Sequence, residues 1–440
     1  MNPTARRRSP LDLLMNSGLG KLLGRIGVTP RPASSESLLD LADALLSLRG
    51  RASGPALASA FFDLYEASDV ASRQAFLTQI HDLHRCDSAS IDRAIKLWQE
   101  KRDEGAARAL NTATESPSQR LIQMLNLAPQ GTQRLLKLRE DLLAAPNQTP
   151  GLKSFDRELE NSFTAWFNAG FLELRRIEWN SPARLLERII RYEAVHEIVG
   201  WDDLRRRVEP IDRRCYGFFH PQMVDDPLIF VEVALTHQLP SAIHQVIAEK
   251  REVISPREAN CAIFYSISNC QDGLRGIPFG NYLIKRVVGL LKDELPQLKT
   301  FATLSPVPGF AKWLSADQGV GGQGGAKVPG PKALRGLAAH YLTQAKHRNG
   351  LPLDSVARFH LGNGARLEAI HANADLSPNG QKQAHGVMVN YVYDLAEIEA
   401  NHFALTELGT VASSKQVQTL AEEAPVKAAK GDRSKDAIAA

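Results

Sequence analysis

One segment near the middle of the chain constrains the fold more than any other. Between Cys261 and Phe310 the sequence reads as a strand, a glycine-bearing turn, a helix and a second strand. The apolar run Cys261–Ser268 has the length and the β-branched and aromatic content of a buried strand. Phe301–Leu304 predicts the second strand, at whose end Ser305 emerges. The segment therefore predicts a mixed α/β domain.

The turn of this segment has the features of a phosphate-binding loop. It carries Gly273, Gly276 and Gly280 around an arginine, and Asn281 can cap the helix that follows. Glycines before a helix N-terminus leave backbone N–H groups free to bind a phosphate, and the helix dipole favours the same anion. The spacing is neither a Walker A motif nor a clean dinucleotide fingerprint. It is closer to the pyrophosphate loop of acetyltransferase-type acyl-CoA folds, and an ordinary structural turn is the alternative.

The composition excludes several functional classes. The chain has 440 residues and a net charge of +4, which is too small to predict a nucleic-acid partner. No apolar run approaches the length of a membrane span. The four cysteines form no C-x-x-C pair, and their low number favours a reducing compartment. His81 and His84 lack a third ligand nearby, so no metal site is predicted.

The hydrophobic pattern changes once along the chain. From Ser37 to about Glu178 apolar residues recur at helical spacing between Pro and Gly breaks, which predicts six to eight helices. Strand-like runs appear beyond that point, at Leu228–Leu235, Cys261–Ser268, Phe301–Leu304 and Gly386–Tyr393. We predict a helical N-terminal domain at residues 1–178, a mixed α/β domain at residues 179–422 and a C-terminal tail at residues 423–440.

The N-terminus allows two interpretations of the cellular compartment. Its first residues are Arg-rich and amphipathic and contain one early acid, Asp12, as in a mitochondrial transit peptide. A loose N-terminal tail of a bacterial cytoplasmic protein has the same composition. We favour the bacterial, cytoplasmic interpretation.

Three further segments collect polar residues in apolar surroundings. They are TLSPVPGF with Ser305, ARFHLGNGA with His360, and VMVNYVYD with Tyr391 and Tyr393. The two tyrosines are two residues apart and therefore share one face of a strand. Each residue alone also has an ordinary structural interpretation, such as a histidine with satisfied hydrogen bonds in the core.

Taken together and in this order, these segments closely resemble the malonyl-CoA decarboxylase family. The resemblance covers most of the chain and is sharpest from Phe171–Pro182 to the VMVNYVYD segment. It implies a helical domain used in oligomer assembly, as a homotetramer. It also implies a catalytic domain with an acetyltransferase-like (GNAT) fold, which agrees with the interpretation of the glycine turn.

The resemblance also implies roles for individual residues. Ser305 and His360 correspond to the family's catalytic serine and histidine, and Tyr393 lines the site. The loop that binds the pyrophosphate of CoA falls on Arg275, Gly276, Ile277, Pro278, Phe279, Gly280 and Asn281. Animal members carry a glutamate where this chain has Pro278, and a proline also removes one N–H that a phosphate could use.

The implied reaction needs few groups. A malonyl thioester contains its own electron sink, because loss of CO₂ leaves a thioester enolate. No cofactor or metal is therefore expected. We expect Ser305, polarised by His360, to form a hydrogen bond to the malonyl carboxylate or the enolate. We expect His360, with a pKa near its ordinary value, to donate the proton that completes acetyl-CoA.

Two other functional classes stay open at this point. The fold alone also supports an acyl-CoA-dependent acyltransferase, because a fold does not determine a reaction. A non-catalytic acyl-CoA sensor would have no need for Ser305 and His360. Incubation with malonyl-CoA alone distinguishes the classes, since only a decarboxylase then forms acetyl-CoA and CO₂.

Overall fold

The computed structural model describes residues 35–83, 86–146, 149–223, 225–277, 280–318 and 328–425. The Arg-rich N-terminus, His84, Pro278, Phe279 and most of the predicted tail lie outside these ranges. The chain divides into two compact units. Among the described residues, unit 1 contains those up to Leu172 together with 220–223 and 271–277, and unit 2 contains the rest.

Unit 1 is built from helices, as the spacing of apolar residues predicts. Its described residues form eight α-helices: α1 Ser35–Leu46, α2 Leu48–Ala67, α3 Val70–Leu83, α4 Ser88–Lys101, α5 Glu104–Thr114, α6 Pro117–Leu125, α7 Gly131–Leu143 and α8 Pro150–Trp166. Side chains that accept hydrogen bonds from the first-turn N–H groups begin four of them: Asp87, Asp103, Ser116 and Thr149. These caps explain why the helices start where they do.

Aromatic side chains lie at the centre of the helical core. Phe61 and Phe62 are fully buried, with ring centroids 5.6 Å apart, and Phe76 lies 5.3 Å from Phe61. Burying one phenylalanine side chain contributes about 1.5–3 kcal/mol. Packing of apolar stripes therefore stabilises unit 1.

Unit 2 contains a mixed eight-stranded sheet. The strand order is β1-β2-β3-β4-β5-β8-β6, and β7 pairs with β8. The strands are β1 Glu173–Ile177, β2 Arg213–Phe219, β3 Pro227–Thr236, β4 Cys261–Asn269, β5 Thr300–Thr303, β6 Ser305–Pro306, β7 Arg366–His371 and β8 Met388–Val392. Strands β4 and β5 pair in parallel, and the other named pairs are antiparallel.

Most helices of unit 2 lie between strands in the sequence, and the last two follow β8. They are α9 Ala183–Tyr192, α10 Gly200–Val208, α11 His244–Ile247, α12 Gly280–Glu294, α13 Phe310–Gln318, α14 Pro331–Thr343, α15 Ser355–Gly362, α16 Pro378–Ala384, α17 Ile398–Leu408 and α18 Lys415–Glu422. Helix α12 joins the parallel pair, as a crossover must. The carboxyl ends of β4 and β5 therefore lie at the same edge of the sheet.

This architecture confirms the predicted fold class. A helical N-terminal region is followed by a mixed α/β region. Of the helices that the structure describes, none has both the length and the apolar character to cross a membrane. The exact domain boundary at residue 178 stays a prediction.

Two local predictions were wrong. The sheet begins at β1, Glu173–Ile177, inside the range predicted to be helical. Only Ile177 of this edge strand is buried, so its sequence lacks the apolar run by which the inner strands were found. Helix α12 begins at Gly280, so Asn281 lies in the first turn and is not the N-cap.

Candidate active site

Ser305 lies at the start of the short strand β6. It pairs with Val389 of β8, and only 5% of its surface is exposed. Its hydroxyl donates a hydrogen bond to Oγ1 of Thr303 at 2.8 Å. The Ser305 Oγ atom also lies 3.1 Å from Nε2 of His360. The serine hydroxyl is therefore held between two side chains, away from bulk water.

His360 approaches the sheet from helix α15. The side chain of Asp354 caps this helix by accepting hydrogen bonds from the N–H groups of Val356 at 2.9 Å and Ala357 at 3.0 Å. The imidazole is buried and stacks on Tyr391, with ring centroids 4.6 Å apart and planes 26° from parallel. The cap and the stacked ring fix the position of the imidazole.

Tyr393 completes a chain of hydrogen bonds. It follows directly after β8, and its backbone N–H donates to the carbonyl of Phe301 at 2.8 Å. The Tyr393 hydroxyl lies 2.8 Å from Nδ1 of His360. Four side chains thus form one buried series, in the order Tyr393, His360, Ser305 and Thr303.

The electrostatics of this series differ from the prediction. Burial lowers the pKa of His360 to about 3. Burial likewise raises the pKa of Tyr393 well above its ordinary value. The imidazole and the phenol are therefore both uncharged at neutral pH. The expectation of an ordinary histidine pKa was wrong, because the motif did not show that the imidazole would be fully desolvated.

The glycine turn is held within unit 1. The buried guanidinium of Arg139 donates from Nη1 to the carbonyl of Gly273 at 2.8 Å and from Nε to Asp156 at 2.7 Å. A Cβ added at Gly273 would lie 2.4 Å from the carbonyl oxygen of Leu136. Gly276 has a φ of +88°, a conformation that favours glycine. Close packing and backbone conformation thus explain both glycines.

The remaining loop residues have varied surroundings. The side chain of Arg275 is 71% exposed and lies 3.9 Å from Asp272, whereas Ile277 is buried. Gly280 and Asn281 open helix α12. Pro278 and Phe279 lie outside the described residues.

Two family models match the chain. The "Malonyl-CoA decarboxylase C-terminal domain" matches residues 170–323 and 329–432, and the "Malonyl-CoA decarboxylase N-terminal domain" matches residues 84–167. Among curated proteins, the mitochondrial malonyl-CoA decarboxylase of Anser anser anser is 37% identical over 343 residues, which is 68% of each chain. The mitochondrial enzyme of Rattus norvegicus is 36% identical over 336 residues, which is 66% of this chain and 68% of the relative. The chain belongs to the malonyl-CoA decarboxylase family.

Solved structures agree with this assignment. The malonyl-CoA decarboxylase from Rhodopseudomonas palustris is 47% identical, with a TM-score of 0.81 over 89% of this chain and 100% of that chain. The one from Agrobacterium vitis is 45% identical, with a TM-score of 0.81 over 87% and 99% of the two chains. The predicted family is confirmed. Its activity is the decarboxylation of malonyl-CoA, and the chain is a carboxy-lyase.

The structure brings together three of the residues that the family resemblance singles out. Ser305, His360 and Tyr393 are joined directly by hydrogen bonds. Sequence reasoning missed Thr303 and Asp354. Thr303 lies two residues before Ser305 on an extended segment, and Asp354 stands in the N-cap position of the helix that carries His360. Both signals were visible, although neither points to a function by itself.

Asp354 connects the serine segment to the histidine helix. Besides capping helix α15, its carboxylate accepts from the backbone N–H of Gly309 at 3.1 Å and from the Tyr341 hydroxyl at 3.4 Å. Burial raises the pKa of this carboxyl, although three backbone N–H groups favour its charged form. A Cβ added at Gly309 would lie 2.2 Å from the Tyr341 hydroxyl oxygen, so any other side chain would clash with that tyrosine. One buried carboxylate therefore sets the spacing between the two segments.

We predict that Gly309→Ala destabilises the protein by about 1–3 kcal/mol, because the new methyl group has no space. We also expect kcat for malonyl-CoA to fall by about tenfold or more, because Ser305 shifts relative to His360. Tyr341→Phe removes the clashing oxygen, and the ring carbon behind it is 3.4 Å from the added Cβ. The Gly309→Ala/Tyr341→Phe double variant should therefore recover stability and kcat relative to Gly309→Ala, as thermal unfolding and steady-state assays would measure. If the double variant lost as much stability and kcat as the two single variants together, this account would be wrong.

Proposed function

We propose that Ser305, His360 and Tyr393 carry the decarboxylation of malonyl-CoA in this carboxy-lyase. The observation that supports this proposal most strongly is the buried series of hydrogen bonds from Tyr393 through His360 to Ser305. All three side chains are at most 5% exposed. Hydrogen-bond donors held in a dry site stabilise a developing negative charge far better than donors in water.

The reaction breaks one carbon–carbon bond. The electron pair of that bond moves into the thioester carbonyl as CO₂ leaves, which forms an enolate. The enolate carbon then takes up one proton, which gives acetyl-CoA. The protein has to exclude water from the carboxylate, stabilise the enolate oxygen and deliver the proton.

An uncharged imidazole can still help to stabilise the enolate oxygen, because it has one N–H that donates a hydrogen bond. With a pKa near 3, His360 does not act as an imidazolium acid at neutral pH. A neutral imidazole can still polarise a carbonyl oxygen through its N–H, as enzymes that form enediolates illustrate. We therefore propose that Ser305, supported by the N–H of His360, donates a hydrogen bond to the enolate oxygen, and that a proton that enters from solvent after CO₂ has left completes acetyl-CoA.

The same geometry argues against an acyltransferase that uses Ser305 as its nucleophile. A nucleophilic serine needs a histidine base whose positive charge is stabilised by a third group, which is a carboxylate in the serine hydrolase triad. Here the third group is the phenol of Tyr393, which burial keeps protonated. Transfer of an acyl group through a Ser305 ester is therefore unfavourable, which weighs against an acyltransferase that uses a serine nucleophile.

The CoA moiety is proposed to bind at the loop from Arg275 to Asn281. The family resemblance supports this proposal, and the glycine turn lies directly before helix α12 in the sequence. Backbone N–H groups at a helix N-terminus are suited to a pyrophosphate. The exposed Arg275 can add a positive charge.

We predict that Ser305→Ala and His360→Asn each lower kcat by about a hundredfold or more, the usual effect of losing one donor in such a site. Affinity for CoA itself should hardly change, because neither residue is proposed to touch the nucleotide. The double variant should lose much less than the product of the two single losses if both residues act as a unit. Tyr393→Phe should have a smaller effect.

Since His360 has a low pKa, kcat should stay level from about pH 8 down to about pH 5. A His360→Asn protein with wild-type kcat would refute the proposal.

We predict that Gly276→Ala weakens CoA binding by about tenfold, because a residue at this φ carries about 1–3 kcal/mol of strain. The added Cβ would also lie 2.5 Å from a carboxylate oxygen of Glu160. Gly289→Ala is the matched control, since a Cβ there would meet nothing within 4 Å. Calorimetric titration with CoA measures both variants. If both variants fold and bind CoA with equal affinity, the assignment of this loop to CoA binding is wrong.

Self-association and compartment are the remaining parts of the proposal. We propose a homotetramer assembled through the helical N-terminal region, which the family resemblance supports. Light scattering should then give four times the chain mass of 48.4 kDa, and a monomer would contradict this.

We propose a cytoplasmic enzyme of malonate and fatty acid metabolism, which the similarity to the solved bacterial structures supports. The curated relatives named above are mitochondrial.

A further inference from the structure

We infer that Thr303 is a positioning residue that sets the direction of the hydrogen bonds in the site and selects the nitrogen of His360 that carries the proton. The inference rests on the proposed roles of Ser305 and His360. It assigns a task to a side chain that does not itself need to touch the substrate.

The contacts of Thr303 hold it firmly in place. It ends strand β5 and is fully buried. Its Oγ1 accepts a hydrogen bond from the backbone N–H of Tyr391 at 3.3 Å. Its carbonyl oxygen accepts from Nδ2 of Asn390 at 2.9 Å. Residues of strand β8 thus hold both the hydroxyl oxygen and the carbonyl oxygen of Thr303. The Oγ1 atom stays available as an acceptor for Ser305.

Counting protons gives the direction of each bond. The Ser305 hydroxyl has a single proton and donates it to Thr303. On that assignment the 3.1 Å contact between Ser305 and Nε2 of His360 uses a proton on Nε2. A neutral imidazole has one N–H, so Nδ1 is bare and accepts from the Tyr393 hydroxyl at 2.8 Å. The donations run from Tyr393 to His360, then to Ser305, then to Thr303.

This direction is opposite to that of a serine nucleophile. In the hydrolase triad the serine donates to Nε2, and Nδ1 carries the proton. Here Nε2–H donates to Ser305, so the serine hydroxyl gains acidity and keeps its proton. Successive bonds that point the same way also polarise one another. When an enolate forms, the Ser305 proton can turn from Thr303 to the enolate, while Nε2–H continues to support the serine oxygen.

Loss of the Thr303 hydroxyl should reverse this series. In Thr303→Val the Ser305 proton has no acceptor on β5, and Nε2 of His360 becomes the nearest one. The imidazole proton then moves to Nδ1 and is donated to the Tyr393 oxygen. Thr303→Ser keeps an Oγ atom and is the matched control.

Solid-state ¹⁵N NMR of the full-length protein, labelled at histidine, tests the inference directly. The chain has 12 histidines, and the His360 signals are those that disappear in His360→Asn. We expect the proton on Nε2 in the wild type and in Thr303→Ser, and on Nδ1 in Thr303→Val. We expect kcat of Thr303→Val to fall by about tenfold or more with KM for malonyl-CoA unchanged, because the Ser305 oxygen then lacks the supporting hydrogen bond from Nε2 of His360.

The outcomes separate this inference from the proposed function. A wild-type proton on Nδ1 would overturn the inference even if Thr303→Val failed to fold. It would also be overturned by a folded Thr303→Val protein that kept the proton on Nε2 and the wild-type kcat. The proposed function itself fails only if Ser305→Ala or His360→Asn retains kcat, whatever tautomer the free protein contains.

Discussion

A hydrogen bond buried away from water joins Ser305 and His360 across 55 residues of sequence, and the geometry of the site depends on it. Neither side chain is held by this bond alone. Strand β8 fixes the serine segment through its pairing with Val389, and Asp354 caps the histidine helix while it also binds Gly309. Because these supports are buried, we expect a change in either segment to alter the distance between Ser305 and His360.

Much of this arrangement could be predicted from local sequence. The strand, glycine turn, helix and second strand after Cys261 could be predicted because each element has its own pattern of residues, and the structure pairs the two strands in parallel. The motifs around Ser305, His360 and Tyr393 pointed to side chains that the fold brings into contact. Such signals succeed where the physical requirement is local, such as a buried strand or a glycine at positive φ.

Other features depend on tertiary structure and could not be predicted from sequence. The low pKa of His360 results from complete burial, which no residue near it in the sequence reveals. The role of Gly273 depends on Leu136 and Arg139, more than a hundred residues earlier in the chain. Strand β1 was missed because a mostly exposed edge strand needs no apolar run. The failures thus have different causes: long-range burial for His360 and Gly273, an exposed edge strand for β1, and a local helix start that lies one residue earlier than the N-cap assignment of Asn281 required.

An uncharged site suits this reaction for an energetic reason. The substrate begins with its negative charge on the malonyl carboxylate and reaches a transition state in which that charge moves to the thioester oxygen. A buried imidazolium would attract the starting carboxylate as strongly as the enolate, and a group that stabilises both states equally does not raise kcat. A neutral donor stabilises a negative charge only on the atom to which it forms a hydrogen bond. In the proposed mechanism the Ser305 hydroxyl, supported by the N–H of His360, can therefore favour the enolate oxygen alone. The burial that lowers the pKa of His360 is thus itself part of the proposed catalytic mechanism.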